Sequence, residues 1–255
     1  MTTQTYASHY KPLALSATPP HEHRKKYVAG MTEKEVLFTS WAVEPERVRT
    51  LVPDCFELDT YDGQTFASLV ALRMHDVHLR IFGWLPPAPG FDDFFELNLR
   101  TYVRHNGTPG IYFLSIDTDG LIYGELAERV FRLPCHNADI TPFDLTDRVR
   151  FESFRHGANA RFEATYRPHG NPAPAEEGTL DHFLCERYSY FLEHEDRVIQ
   201  GCIHHEPWPI QPVEVECVTT DLFEAVGLIA PAGAPDAQFY VEELQSVAWL
   251  PHRAD

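Results

Sequence analysis

The stretch FELNLRTYV, residues 95–103, alternates apolar and polar side chains with the period of two that is typical of a β-strand. One face of this strand would carry Glu96, Asn98, Arg100 and Tyr102. The planar fork of an arginine binds carboxylates, and a glutamate in apolar surroundings can act as an acid or a base. Because charged side chains are seldom buried without a partner, this face either meets water or lines a polar cavity.

A second charged strand is predicted in FLCERYSYF, residues 183–191, where Glu186 would share a face with two tyrosines. Glu96 and Glu186 are therefore the candidate acid–base residues, and Arg100 is the candidate anchor for an anion. The alternative is an Arg/Glu ion-pair ladder on a wet sheet face, which would bind no ligand.

Histidine, cysteine and glycine motifs give weaker candidates. HEH at 21–23, HDVH at 75–78 and IHHEPW at 203–208 lack the HExxH or Cys/His spacing of metal sites, so we predict no metal and no cofactor. No GxSxG, GxGxxG or GxxxxGK[ST] motif is present. Cys135 precedes His136, which would allow a thiolate with an adjacent base, but neighbours in a strand point to opposite faces.

Charge and composition restrict the partners and the compartment. The 255 residues include 38 acidic and 21 basic ones, and the formal net charge of −17 repels phosphate backbones and anionic lipid. No apolar run is long enough to span a membrane, and the N-terminus lacks the order of a secretory signal. The odd number of cysteines, without CxxC spacing, favours reduced thiols. We therefore expect a cytoplasmic protein without nucleic-acid or membrane partners, and the aromatic loop around Trp84 and exposed strand edges would allow a homodimer.

The elements that must position these residues are mostly strands. Residues 1–30 carry prolines and no clear period, and they are predicted to form a loosely ordered arm before one domain at 31–255. Many strands and few short helices predict a mainly β (α+β) barrel or sandwich. The predicted elements are strands at 36–43, 65–77, 95–103 and 111–118, a short helix within 44–53, a loop at 81–93, a hairpin around Gly157, a helix capped by Thr179, a turn at Glu195-Asp196 and a helix within 219–231.

Four blocks in this order resemble the YqjF-like proteins, a conserved bacterial family of unknown function. The blocks are LVPDCFELDTYDG, FELNLRTYV followed by GTPGIYFLSID, GTLDHFLCERYSYF, and HHEPWP, and the resemblance covers about residues 36–210. That family is placed in the acetoacetate decarboxylase-like fold. The resemblance therefore implies a closed antiparallel β-barrel with a central cavity and a few short peripheral helices.

The resemblance also allows the catalytic residues of the decarboxylases to be compared with this sequence. Their reaction requires a lysine that forms a Schiff base with a keto acid. The corresponding lysine pair aligns with Cys135 and His136, and a partner carboxylate aligns with Val70. All lysines of the chain, Lys11, Lys25, Lys26 and Lys34, lie in its first 34 residues. The resemblance thus implies the cavity without the Schiff-base reaction.

In a small barrel, one face of each strand lines the interior. The resemblance therefore implies that the predicted ligand-binding residues surround one cavity and that they bind a small carboxylate or carbonyl compound. One alternative is an enzyme that uses acid–base chemistry without a lysine, and another is a structural module with an internal ion-pair network. Besides the two glutamates, the predicted cavity residues are Asn98, Arg100, Tyr102, Tyr112, Arg129, Arg132, Cys135 and His136.

Overall fold

The computed structural model describes residues 27–79 and 92–254, so most of the predicted arm and of the loop at 81–93, including Trp84, lies outside the described residues. Strands dominate this part of the chain, and the first one includes the last two residues assigned to the arm. The longer strands are β1 (Ala29–Val43), β3 (Thr65–Leu79), β4 (Asp93–His105), β5 (Thr108–Thr118), β6 (Cys135–Asp144), β7 (Val149–Arg155), β8 (Arg161–Pro168), β10 (Ser189–His194), β11 (Arg197–His205), β13 (Val213–Thr220) and β14 (Ala237–Ala248). The two-residue strands are β2 (Glu57–Leu58), β9 (Ala173–Pro174), β12 (Pro209–Ile210) and β15 (His252–Arg253).

The helices are few and short, as predicted. They are α1 (Pro45–Arg49), α2 (Leu121–Phe131), α3 (Leu180–Cys185) and α4 (Leu222–Ala225). Within the described ranges, no helix combines the length and the apolar character needed to cross a membrane.

Thirteen strands form one sheet, in which β4, β5, β10, β11, β14, β1 and β3 pair in succession and β3 pairs with β4 again. Most pairs are antiparallel, but β5 pairs in parallel with both β6 and β10. The resemblance implied an antiparallel barrel, and the sheet departs from that arrangement at these two pairs. The physical reason at β5 and β6 is the helix α2, which crosses from the end of one strand to the start of the other, as parallel neighbours require.

The strand β4 lies between β3 and β5, and its two faces pack into different clusters. Leu97, Leu99 and Val103 belong to one apolar cluster, which includes Phe151 and Phe162. The opposite face borders a second cluster, to which the side chains of Val36, Phe38, Val70 and Leu72 belong. Both faces of β4 are thus enclosed from Glu96 to Val103, so Glu96, Asn98 and Arg100 do not lie on a water-exposed surface.

Local signals placed several turns and caps correctly. Thr179 caps α3 and accepts a hydrogen bond from the His182 backbone, and the chain turns at Glu195 and Asp196 with φ of 51° and 57°. The hairpin around Gly157 joins β7 to β8. The helix predicted within 219–231 is only four residues long, since α4 spans Leu222–Ala225.

The helix α2 was not predicted, and it is the longest helix in the described ranges. It begins after Gly120 without a side-chain cap, so the usual start signal is missing. Its buried face carries the small residues Gly124 and Ala127. A Cβ on Gly124 would lie 3.2 Å from Thr118 Cγ2, so the glycine lets the helix approach the sheet closely. The same helix stacks the Tyr123 ring on Phe94, with centroids 4.2 Å apart.

Candidate functional site

A cavity of about 130 Å³ lies beside the polar face of β4, and we refer to it as the Arg100 cavity. Three adjacent strands line it with alternate residues, which are 29, 31 and 33 on β1, 70, 72 and 74 on β3, and 96, 98 and 100 on β4. The helix α2 covers it with Tyr123, Leu126 and Ala127. Most of the wall is apolar, and the polar groups in it come from Glu33, Glu96, Asn98, Arg100, Tyr123, Arg187 and His205.

The predicted residues Glu96, Asn98 and Arg100 all line this cavity, and they are 4%, 4% and 7% exposed. Strand alternation brings them together, because Leu97 and Leu99 point into the other cluster. A shift of register between Leu99 and Arg100, relative to β5, lies within the same segment.

Arg100 is a buried cation with unused hydrogen-bonding capacity. Its Nη2 donates to the Leu184 carbonyl at 3.1 Å, and its guanidinium lies 4.9 Å from the centroid of the Phe38 ring. Its Nε is buried and has no hydrogen-bond partner in the described part of the chain. Because a buried donor without a partner is costly, a ligand acceptor at this position would stabilise the protein.

Glu96 is a carboxyl group whose pKa is raised in this environment. Its pKa is raised from 4.5 to about 7, with burial as the largest cause and the charge of the nearby Glu33 as a further one. The hydrogen bonds from Asn98 and Tyr123 and the charge of Arg100 oppose this shift. Asn98 Nδ2 donates to Glu96 Oε1 at 3.0 Å, whereas Asn98 Oδ1 is buried without a partner. Glu96 can therefore hold or release a proton near neutral pH.

Glu33 faces the same cavity from β1. Burial raises its pKa, while the charges of His205 and Arg100 and a hydrogen bond from Ser246 lower it. Ser246 Oγ donates to Glu33 Oε1 at 2.8 Å. The cavity thus places two glutamates of raised pKa near Arg100. Burial and the charge of a second glutamate favour protonation of a carboxyl group, whereas the charge of Arg100 opposes it.

Arg187 lines the cavity too, but it is already paired. Its Nη1 donates to Asp59 Oδ2 at 2.6 Å and its Nε donates to the Phe183 carbonyl at 2.7 Å. The other oxygen of Asp59 accepts from Arg104 Nε at 2.7 Å. Arg100, and not Arg187, therefore has the guanidinium that is available to a ligand.

Two predicted residues lie near the cavity without lining it. The Tyr102 hydroxyl forms a hydrogen bond of 2.6 Å with Ser68 Oγ, and its ring lies 5.9 Å from the Arg100 guanidinium. Glu186 accepts a hydrogen bond of 2.8 Å from the Trp208 backbone. Of the strand predicted at 183–191, only residues 189–191 belong to a strand, β10. Residues 183–185 are the end of α3 and 186–188 are irregular, so the alternation that placed Glu186 in the cavity does not apply.

The remaining predicted residues do not line the Arg100 cavity. Arg129 is exposed on α2 and pairs with Glu125 at 2.6 Å. Cys135 is half-buried at the start of β6, and burial raises its pKa, which keeps it a thiol. A second cavity is lined by Tyr112, Arg132 and His136.

Four polar residues of the cavity were missed, namely Glu33, Tyr123, Arg187 and His205. Alternation of Met31 and Glu33 in the sequence was an available signal, but the first strand was predicted to begin only at residue 36. Tyr123 lies on the unpredicted helix α2. Arg187 and His205 reach the cavity only through the pairing of distant strands, for which the sequence gives no local signal.

Comparison with known proteins agrees with this architecture. An uncharacterized Bacillus subtilis protein, YqjF, is 37% identical over 210 residues, which are 82% of this chain and 86% of that protein. The crystal structure of acetoacetate decarboxylase from Legionella pneumophila is 14% identical with a TM-score of 0.62, and the alignment covers 95% of this chain and 93% of that one. The enduracididine biosynthesis enzyme MppR in complex with pyruvate is 13% identical with a TM-score of 0.62, over 97% and 96% of the two chains. These two structures show the fold alone.

The model of the DUF2071 family, described as an uncharacterized conserved protein, matches residues 30–245. This range includes β3, β4, all of β1 except Ala29, and the helix α2, which all line the Arg100 cavity. Together with the identity to the Bacillus subtilis protein, the match shows that the chain belongs to the DUF2071 family.

Proposed function

We propose that the protein binds a small organic molecule with one carboxylate or carbonyl group in the Arg100 cavity, and that the strands around this cavity form a closed barrel. The observation that supports this most directly is Arg100, a 7% exposed cation whose Nε has no partner in the described ranges. A ligand carboxylate would accept a hydrogen bond from Arg100 Nε and would also neutralise the charge of the guanidinium. The apolar walls suit a short hydrocarbon body.

The volume of the cavity limits the size of this ligand. At about 130 Å³, the cavity is similar in volume to the apolar cavities of about 150 Å³ that hold one molecule of the size of benzene. A small acid of a few carbon atoms fits this space. The similar fold of MppR, whose structure holds pyruvate, supports the same size class of ligand.

We propose binding without a Schiff base. Among the described residues that line the cavity there is no lysine. Lys34 follows Glu33 on β1, so it points away from the cavity, and it pairs with Glu243 at 3.1 Å. Borohydride reduction in the presence of pyruvate or acetoacetate is therefore expected to leave the protein mass unchanged, and a trapped adduct would contradict this part of the proposal.

The experiment that tests binding is a titration of the full chain with acetate, pyruvate, butyrate and acetoacetate, followed by calorimetry and thermal unfolding. The wild-type protein should bind at least one of them. Arg100→Met should weaken that binding by a factor of about 10 or more, because the charged hydrogen bond is lost. Arg129→Met, an arginine on the surface of α2, is the matched control and should bind as the wild type does. Equal binding by Arg100→Met and wild type would overturn the proposal. A failure of all four acids to bind the wild type would overturn it too.

An acid–base enzyme is the second candidate, and the raised pKa of Glu96 favours it. Incubation of a bound acid with the protein in deuterated water would show exchange of its α-hydrogens by proton NMR. Glu96→Gln should retain the ligand and lose the exchange. If the wild type catalyses no exchange and no other turnover of a bound acid, the binding function stands alone.

A further inference from the structure

A second cavity, of about 390 Å³, lies on the other side of a partition formed by Phe113 and Leu133, which line both cavities. We call it the Arg155 cavity. Its walls come from β5, the segment between α2 and β6, and the strand β10. The polar side chains in these walls are Tyr112, Arg132, His136, Arg155 and Glu193.

Arg155 is held rigidly at one end of this cavity. It is 9% exposed, its Nε donates to Asp117 Oδ1 at 2.7 Å, and its Nη2 donates to Ser115 Oγ at 3.0 Å. These bonds leave Nη1 for a ligand. A buried, oriented guanidinium of this kind is a preorganised hydrogen-bond donor for an anion.

Arg132 lines the same cavity and has an unusual backbone conformation. It follows α2 with φ of 57°, the left-handed region in which glycine is usually found at the end of a helix. A non-glycine residue in this region costs about 1 kcal/mol or more. The guanidinium of Arg132 is exposed and forms no ion pair within the described ranges. The backbone alone would therefore favour glycine here, so the arginine side chain has another role.

Glu193 provides the opposite charge on the far wall. It lies on β10, whereas His136 lies on β6, and both strands pair in parallel along the same edge of β5, because β4 occupies the other edge. Tyr190 lies opposite Ile111 and His136 lies opposite Asp117, six residues further along β5. Because Glu193 is three residues beyond Tyr190 in the same direction, about three residues, or about 10 Å, separate the two walls. No ion pair in the described part of the chain joins Glu193 to Arg132 or Arg155.

The charges in and behind this cavity cancel. Arg132 and Arg155 carry two positive charges, and Asp117 and Glu193 carry two negative ones when they are ionised. A site for a simple anion would have excess positive charge. Separated positive and negative ends instead match a ligand that is itself zwitterionic. Between the two ends, the wall is apolar and includes Phe191 and Val226.

We propose that the Arg155 cavity binds a small zwitterion, with its carboxylate at Arg132 and Arg155 and its amine at Glu193. The carbon chain between them contacts the apolar wall. This site is independent of the Arg100 cavity and of the function proposed for it.

The probes are 6-aminohexanoate, hexanoate and hexylamine, whose charged groups differ while their chain length is the same. In calorimetric titrations of the full chain, 6-aminohexanoate should bind at least tenfold tighter than either of the others. Glu193→Gln should reduce the affinity of the protein for 6-aminohexanoate to its affinity for hexanoate. Arg132→Gly should weaken it by about tenfold, while Tm stays equal or rises because glycine relieves the left-handed conformation.

The control variants separate this site from the Arg100 cavity. Arg129→Ala and Arg100→Met should both bind 6-aminohexanoate as the wild type does. Equal affinity for hexanoate and 6-aminohexanoate would overturn the proposal, as would the absence of binding by 6-aminohexanoate. Loss of its binding in Arg100→Met, with retention in Arg132→Gly, would place the ligand in the other cavity and would likewise overturn it.

Discussion

Asn98 Nδ2 donates a hydrogen bond of 3.0 Å to Glu96 Oε1, two residues earlier on the same face of β4. The amide thus fixes a carboxyl group that is 4% exposed and whose pKa is raised to about 7 by burial. Glu96 is therefore a carboxyl group that can hold a proton near neutral pH, and Asn98 fixes its orientation in the wall of the Arg100 cavity.

Glu96 makes stability depend on pH with a definite sign. Its folded pKa of about 7 exceeds its ordinary value of 4.5, so its favourable contribution is fully present below pH 4.5 and is lost as pH rises through 7. The change is about 3 kcal/mol, at 1.36 kcal/mol for each unit of pKa. Urea unfolding from pH 5 to 8 should show a steeper loss of stability for wild type than for Glu96→Gln. The exposed control Glu125→Gln should match the wild type, and equal slopes for wild type and Glu96→Gln would contradict the role of Glu96.

Truncation of Asp59 should lower the free energy of unfolding much more than truncation of Arg100. Asp59 is 5% exposed and pairs with Arg187 and Arg104, so Asp59→Ala leaves a buried guanidinium without its carboxylate. We expect a loss of about 3–5 kcal/mol in the free energy of unfolding. Arg100→Met removes a buried charge that has no carboxylate in hydrogen-bond contact in the described ranges, and it should cost less than about 1 kcal/mol or stabilise the protein. Denaturant unfolding measures both, and a larger loss for Arg100→Met would show that the guanidinium serves the fold.

Gly201 gives Tyr190 the space for its ring, and Tyr190 lines the Arg100 cavity. A Cβ on Gly201 would lie 2.0 Å from two atoms of this ring. Gly201→Ala should therefore lower stability by about 1–3 kcal/mol through overpacking. Tyr190→Leu should suppress this loss, so the double variant should be more stable than the sum of the single effects predicts. Strict additivity in thermal unfolding would refute the proposed clash.

Thr179 connects a helix cap to the cavity. Its hydroxyl accepts from the His182 backbone at 3.3 Å at the start of α3, and the Leu184 carbonyl near the end of this helix accepts from Arg100. Thr179→Ala should cost about 1 kcal/mol, while Thr179→Ser should be nearly neutral because it keeps the hydroxyl. Thermal unfolding distinguishes the two variants, and equal losses would show that the cap is not what stabilises α3.

Local patterns predicted the parts of the site that depend on one strand. Alternation alone placed Glu96, Asn98 and Arg100 on one face, because the period of two is a property of the extended chain. It did not determine whether this face meets water or a cavity, since that depends on which strands and helices cover it. The same reasoning misplaced Glu186, because it assumed a strand where the chain forms the end of a helix.

The residues that could not be predicted reach the site through long-range pairing. Glu33 and His205 lie 172 positions apart in the numbering and meet through the neighbours of β14. The parallel pairing of β5 with β6 depends on α2, whose sequence carries no cap and whose buried face is marked only by Gly124 and Ala127. Without that helix in the prediction, Arg132 and His136 were assigned to the wrong cavity.

The helix α2 belongs to a single crossover between two neighbouring strands, yet it closes the Arg100 cavity with Tyr123 and ends at Arg132 in the Arg155 cavity. Substitutions along one continuous segment of the chain can thus alter the chemistry of both cavities without changing the ring of paired strands. Residues 121–132 therefore form one short segment whose replacement would change the walls of both cavities together.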